Sequence, residues 1–172
     1  MRSIGTHLYG RRLYETMMYW EHFEAVPEQA DVSSEFAELW RDSDKVVYSR
    51  TLVEVSTPRT TLERSFDLAA VRRRKRRADR DLLIGGATLA GEALRSEGLV
   101  DELHLYLHPV VVGGGTRALP DGVLMRLELL DERRFASGVV HLHHRVLSDR
   151  WPSTRAPRSA SATPPAGAAP RP

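Results

Sequence analysis

Over residues 1–149 the chain alternates short apolar runs with stretches that repeat apolar residues every three or four positions. THLYG (Thr6–Gly10) reads as a short strand entering a turn. Arg11 to Trp20 places Leu13, Met17 and Trp20 at spacings of four and three, which predicts a helix. Glu35 to Arg41 puts Phe36, Leu39 and Trp40 on one side of a short helix, with Ser33 or Ser34 as its cap. Lys45–Ser49 is a β-branched run and predicts a strand, and TLERS (Thr61–Ser65) predicts a weaker one. Asp67 to Arg76 predicts a helix with Leu68 and Val71 inward. Asp81–Ile84 is an apolar strand, followed by a helix over Thr88–Glu97 that Gly98 stops. Glu102–Val112 alternates at first and then becomes fully apolar, as one strand. Two more strands, Met125–Arg133 and Val139–Leu147, flank Ala136-Ser137-Gly138, a hairpin signal.

Strands that alternate with helices predict an α/β fold: a mixed, mostly parallel sheet with helices on both faces and a C-terminal antiparallel hairpin as its edge. In such sheets ligands bind beyond the carboxyl ends of the strands. Those ends carry Gly10-Arg11, Ser49-Arg50-Thr51 and Gly85-Gly86. Glycine, hydroxyl and arginine are the groups that phosphates prefer.

Composition sharpens this picture in three ways. The chain has 172 residues and no cysteine, which excludes disulfides and thiolate metal sites and fits a reducing, cytoplasmic setting. No apolar run approaches the ~20 residues of a membrane span, and MRSIGTHLYGRR has no apolar signal-peptide core. The formal charge of +2 is unevenly placed. The last 23 residues hold Arg150, Arg155, Arg158 and Arg171 and no acid, leaving 21 basic against 23 acidic residues over 1–149. Residues 150–172 are rich in Pro, Ala, Ser and Arg and lack large apolar side chains, so they are expected to form a disordered tail. Residues 1–149 are expected to form one domain.

Two adjacent glycines at a strand end imply a close approach to the backbone, by a ligand phosphate or by another part of the chain. GGATLAG lacks the G-x-G-x-x-G spacing of a Rossmann loop. It is no Walker A loop either, because Glu92 stands where the phosphate-binding lysine belongs. What remains is a helix N-terminus whose first amides, at Gly86, Ala87 and Thr88, are suited to a pyrophosphate.

The run DLLIGGATLAGEALRSEGLVDELHLYLHPVVVGGGTRAL resembles the reductase domain of bifunctional riboflavin-biosynthesis deaminase–reductases, the RibD C-terminal domain. It also resembles free-standing dihydrofolate-reductase-like proteins. THLYGRRLYETM and KVVYSRTL resemble two upstream blocks of the same family, in the same order. The resemblance spans about Gly5 to Leu147. It implies a dihydrofolate-reductase-like sheet, an NADPH-dependent reductase, a small heterocyclic substrate and a homodimer, without nucleic acid or membrane. Activity like that of 5-amino-6-(5-phosphoribosylamino)uracil reductase is one expectation.

Residue by residue, the resemblance implies a cofactor site. Gly10 and Arg11 match the turn that meets the cofactor phosphates, with Arg12 a weaker match. Leu13 stands where dihydrofolate reductases place a threonine, so one hydroxyl contact is absent. Ser49, Arg50 and Thr51 match the segment that receives the adenosine 2′-phosphate, and Arg50 implies a preference for NADPH over NADH. Gly85 and Gly86 match paired glycines whose peptide is often cis in the family. Ala87, Thr88 and Leu89 then open the helix facing the pyrophosphate. The family usually carries a strand and helix ahead of the first block, so about thirty or more residues are expected to be missing here by analogy. That implies a longer native protein or a truncated, inactive copy, and poor solubility or altered oligomerisation for this chain. No catalytic acid or base can be named.

Other features carry competing chemistry. Asp101 and Glu102 are a possible acid/base pair, but read as a turn opening a strand. Gly114, in PVVVGGGTR, is a minor phosphate-cradle candidate. His104, His108, His141, His143 and His144 resemble a metal cluster, yet no cysteine or carboxylate spacing supports zinc, so no metal is expected. The run Arg72–Arg77 fits either a nucleic-acid contact or the solvated face of a helix, and the inward Leu68 and Val71 favour the latter. Tyr14, Trp20 and Trp40 read as core. Besides the reductase, two rival classes follow: a non-catalytic nucleotide-binding or interaction protein that keeps the fold, and a nucleic-acid binder using the arginine run and tail.

Overall fold

A computed structural model describes residues 4–24 and 30–147. The expected tail at 150–172 lies outside the described residues. The order is β1 (Ile4–Gly10), α1 (Arg11–Met17), a 3-10 turn (Met18–Glu21), α2 (Ala30–Asp42), β2 (Asp44–Tyr48), β3 (Thr60–Glu63), α3 (Leu68–Arg77), β4 (Asp81–Gly85), α4 (Ala87–Leu94), β5 (Glu102–Leu107), β6 (Arg126–Arg134) and β7 (Val140–Leu147).

Four strands form a parallel sheet in the order β3-β2-β1-β4. Side chains alternate across a strand, and here both faces are covered. Leu8 and Val46 point to one face, where they meet Val71 of α3, Ala93 of α4 and Leu99. Their neighbours Tyr9 and Val47 point to the other face and pack with Tyr14 of α1, Leu52 and Val55. A fully buried leucine or valine such as Leu8 or Val46 contributes about 1.5–3 kcal/mol. This double covering explains why β1, β2 and β4 read as apolar runs.

The other three strands form their own antiparallel sheet, β5-β7-β6, and do not extend the parallel one. The expectation of a single sheet with a hairpin edge is corrected on this point. β7 lies between β5 and β6 and uses both of its edges, and no pairing among the described strands joins β5 or β6 to β4. The hairpin itself forms, with Phe135 N donating to Val139 O at 2.9 Å and Gly138 at φ 85°.

Several boundaries also shift. β5 ends at Leu107, so Pro109–Val112 is not strand. Pro109 has no N–H to donate to a ladder, and Val111 is 96% exposed beyond it. α2 begins at Ala30, which places Ser33 and Ser34 inside the helix and not at its cap. Serine is only mildly unfavourable within a helix, so it was a weak start signal. The helix over Arg11–Trp20 tightens into the 3-10 turn after Met17. Trp20 is half-buried, against Phe23 and Phe36, whereas Tyr14 and Trp40 are core. α4 ends at Leu94, before Gly98.

Half of the run Arg72–Arg77 is used within the fold. Arg72 donates to Ser96 Oγ at 2.8 Å, and Lys75 reaches Leu99 O at 3.0 Å and Asp101 at 2.6 Å. Arg73 faces Asp67 at 3.8 Å. α3 therefore fastens the turn that leads into β5. Asp101 ends that turn: Lys75 holds its carboxylate, and its carbonyl, accepting from Val146 N at 2.8 Å, already continues the β5–β7 ladder. No helix among the described residues is long and apolar enough to cross a membrane.

Candidate functional site

The register sets three strand ends side by side. Gly10 pairs with Tyr48, and Tyr9 pairs with Gly85. The segments that follow β2, β1 and β4 therefore leave the sheet at one level, on adjacent strands. This gathers Ser49-Arg50-Thr51, Gly10-Arg11 and Gly85-Gly86 from across 77 positions of sequence onto one edge.

Arg11 and Thr51 meet directly: Arg11 Nη1 donates to Thr51 Oγ1 at 3.2 Å. Arg11 Nε also bonds Glu15 at 2.7 Å, so its charge is partly compensated. Ser49 is buried, and its hydroxyl oxygen accepts from Thr51 N at 3.3 Å and Leu52 N at 3.0 Å. Its first task is to shape this turn. Arg50, by contrast, is exposed at the apex, and no side chain or carbonyl among the described residues bonds its guanidinium. Sequence reasoning missed Arg64, which donates to the carbonyls of Ser49, Leu52 and Val53 and so holds the loop from β3. No motif marks Arg64; only the parallel pairing of β2 with β3 puts it there.

The paired glycines have separate roles. A Cβ at Gly85 would lie 2.5 Å from Leu13 Cδ2 and 3.3 Å from the Tyr9 ring. The visitor to Gly85 is thus a side chain of α1, the same Leu13 that replaces the expected threonine. Gly86 is exposed, at φ 90°, a conformation that L side chains rarely adopt. It turns the chain from β4 into α4. No peptide bond among the described residues is cis, and this φ supplies the reversal instead. The first helical bond is Ala90 N to Gly86 O at 3.0 Å. The amides of Ala87, Thr88 and Leu89 precede it and have no acceptor within the helix. Leu89 and Ala93 bury their side chains, which anchors α4, while Gly86 and Thr88 at its start stay exposed.

A loop anchor lies behind this edge. The buried Tyr14 hydroxyl accepts from Ser56 N at 3.0 Å and Thr57 N at 3.2 Å, and bonds Thr57 Oγ1 at 3.0 Å. Burial pushes the phenol pKa up, but these bonds outweigh it and hold the pKa below its ordinary value. Tyr14→Phe leaves those groups unpaired. It is expected to cost about 2 kcal/mol of stability, read by chemical denaturation. A loss below about 0.5 kcal/mol would mean that water replaces the phenol.

Elsewhere, two shallow hollows lie toward the amino ends of the strands, one beside Lys45, Arg59 and Arg74, the other beside Thr6, Arg73 and Arg77. Neither touches the Gly10–Ser49–Gly86 edge, and their arginines are used in part by the fold. Gly114 sits in an exposed loop with no atom within 4 Å of where its Cβ would stand.

The sequence profile of the RibD C-terminal domain matches residues 19–141. The uncharacterized Bacillus subtilis (strain 168) protein YyaP is 32% identical over 144 residues, 83% of this chain and 74% of its own length. A Shewanella sp. PV-4 protein named for riboflavin biosynthesis superposes with a TM-score of 0.61 at 14% identity, covering 84% of this chain and 75% of the other. Acinetobacter baumannii RibD superposes with a TM-score of 0.58 at 17% identity, over 84% of this chain and 47% of its own. At those identities the two solved structures speak for the fold alone.

Proposed function

The chain belongs to the RibD C-terminal domain family, and from that premise we propose that it is an NADPH-dependent reductase whose cofactor lies along the Gly10–Ser49–Gly86 edge. The observation that carries this reading is the level exit of three adjacent parallel strands into phosphate-binding chemistry, with Arg50 exposed at the apex and bonded to no other described residue.

The residues present fit a dinucleotide. The amides of Ala87, Thr88 and Leu89 suit the pyrophosphate, at the positive end of α4. A Cβ at Gly10 would meet nothing within 4 Å, so the backbone there is open to a ligand, beside Arg11. Ser49, Arg50 and Thr51 suit the adenosine 2′-phosphate, with Arg50 giving planar, charge-assisted bonds. Gly85 differs, because Leu13 already fills its approach. When bound, the nicotinamide supplies a hydride to an electrophilic carbon of the substrate. The protein's part is to hold the two phosphate ends and fix the direction of the dinucleotide across β2, β1 and β4.

The substrate in this reading is a small heterocycle, with a ribosylamino-pyrimidine such as 5-amino-6-(5-phosphoribosylamino)uracil the first candidate. A second copy of the chain covering the exposed Leu107 and Val110–Val112 is part of the same proposal. The test is a titration of NADPH followed by turnover with a panel of pyrimidines and pterins. Saturable binding and NADPH consumption with one member are expected. Binding without turnover across the panel would favour a nucleotide-binding protein that keeps the fold. Absence of NADPH binding would overturn the cofactor assignment.

A further inference from the structure

We propose that Glu102, His104 and His143, on one face of the antiparallel sheet, form a binding site for a single divalent transition ion of the zinc type.

Glu102 and His104 are two apart on β5, so their side chains share a face. The register places His143 of β7 directly opposite His104, and His141 opposite Tyr106. One ligand atom from each of Glu102, His104 and His143 lies within 4.8 Å of the other two. His143 Nε2 is 2.9 Å from Glu102 Oε2, and His104 Nε2 is 3.9 Å from the same oxygen. Ligands of a tetrahedral zinc stand about 3.3 Å apart, given bonds near 2.0–2.1 Å. The observed distances lie on either side of that value, so small side-chain rotations suffice.

The rings are arranged for joint use. His104 and His143 stack at 4.1 Å between centroids, 16° from parallel, and each brings its Nε2 to the Glu102 carboxylate. His104 Nδ1 is 3.0 Å from His141 Nε2. With His104 Nε2 on the ion, Nδ1 carries the proton and donates to His141, which fixes the ring and its tautomer. His141 is therefore a positioning residue, itself stacked on Tyr106 at 4.6 Å. Arg145, the register partner of Glu102, bonds Glu128 at 2.6 Å, so the strongest cation nearby is directed away from the Glu102–His143 pair. Asp131 stands opposite His143 on the far flank and adds negative charge to this face.

Access is open. The side chains of Glu102, His104 and His143 are 50%, 42% and 23% exposed. Two imidazoles and one carboxylate suit zinc, nickel or copper, whereas magnesium prefers all-oxygen ligands. Three protein ligands leave one position to water or to an incoming ligand. His144 alternates onto the other face and His108 lies beyond the strand end, so neither takes part.

The test uses the full chain without an affinity tag, stripped by a chelator, with ZnCl2 titrated against a chromophoric competitor. One Zn2+ per chain is expected, with MgCl2 unable to displace it. His104→Ala, His143→Ala and Glu102→Gln should each weaken Zn2+ by about a hundredfold or more, beyond the roughly tenfold at which supporting contacts begin to act. His141→Ala should weaken it less, and His108→Ala should leave it unchanged. Co2+ in place of Zn2+ should give visible bands that His143→Ala abolishes. Circular dichroism checks each fold, and Glu102→Gln and His104→Ala, at exposed positions, carry the test if His143→Ala does not fold. Zn2+ binding that persists undiminished in the His104→Ala/His143→Ala double variant, or that is absent from the wild type, overturns the proposal.

Discussion

Replacing Arg50 by alanine is expected to abolish discrimination between NADPH and NADH. Charge-assisted hydrogen bonds contribute about 1.5–3 kcal/mol, and each 1.4 kcal/mol is about tenfold in affinity. NADPH should therefore bind roughly tenfold to a hundredfold more weakly to Arg50→Ala, while NADH stays within about a factor of two. The structure makes this a clean difference. Arg50 bonds no other described residue, so its removal leaves no orphaned partner in the fold. Ser49, beside it, would be a poor probe, because its hydroxyl shapes the turn through Thr51 N and Leu52 N. Arg50→Lys should recover only part of the preference, since an ammonium lacks the planar fork. Nucleotide fluorescence titrations of the three proteins decide it. Equal losses for both nucleotides would mean that Arg50 supports the loop and does not meet the 2′-phosphate.

The sequence made the level edge of the site legible because its chemistry is local to strand ends. Gly10-Arg11, Ser49-Arg50-Thr51 and Gly85-Gly86 each follow a short apolar run, and parallel pairing then brings such ends together. The work that each residue does was not legible. Ser49 looked like a phosphate ligand and is first a turn former, a distinction set by two backbone amides. Gly85 has the pattern of a phosphate contact, yet its approach is filled by Leu13, which lies 72 positions away in the chain. Arg64 left no trace, since its acceptors are carbonyls. Val110–Val112 misled for a similar reason: apolarity alone cannot tell a buried strand from an exposed loop, and only Pro109 hinted at the difference.

The histidines show the same limit from the other side. Alternation along β5 and β7 was readable, and it placed each histidine on one of two faces. Which face met which was not, because an antiparallel register is fixed by the turn and by packing. A slip of one residue between β5 and β7 would put His144 opposite His104 and dissolve the cluster. The carboxylate completing the set, Glu102, has the sequence pattern of a turn residue together with Asp101. Only Asp101 holds the turn, through Lys75; Glu102 faces His143.

Acid should destabilise the chain through His7, by about 3 kcal/mol between pH 6.5 and pH 4. His7 is buried on β1, stacked at 5.3 Å on Tyr9, with Lys45 as its register partner on β2. Burial, and then the Lys45 charge, lower its pKa from 6.5 to about 4. Lys45 keeps its place by donating to Trp40 O at 3.0 Å and lying 4.3 Å over the Trp40 ring. The folded chain therefore holds His7 neutral down to about pH 4, whereas the unfolded chain takes the proton below about pH 6.5. Across that window the unfolded state binds more protons, so stability is full above pH 6.5 and falls as the pH drops. Each unit is worth about 1.4 kcal/mol, less the half-protonation at the lower end. Carboxylates titrate in the same range, so the comparison needs a partner that lacks only this ring nitrogen chemistry. His7→Phe keeps a flat apolar ring on Tyr9 and cannot take a proton. Urea unfolding of both proteins at pH 7, 5.5 and 4.5 should show the wild type losing stability faster, with the gap widening by about 3 kcal/mol toward pH 4. Parallel curves would mean that His7 is reached by water in the folded state, or that the Lys45 charge is absorbed by groups other than Trp40.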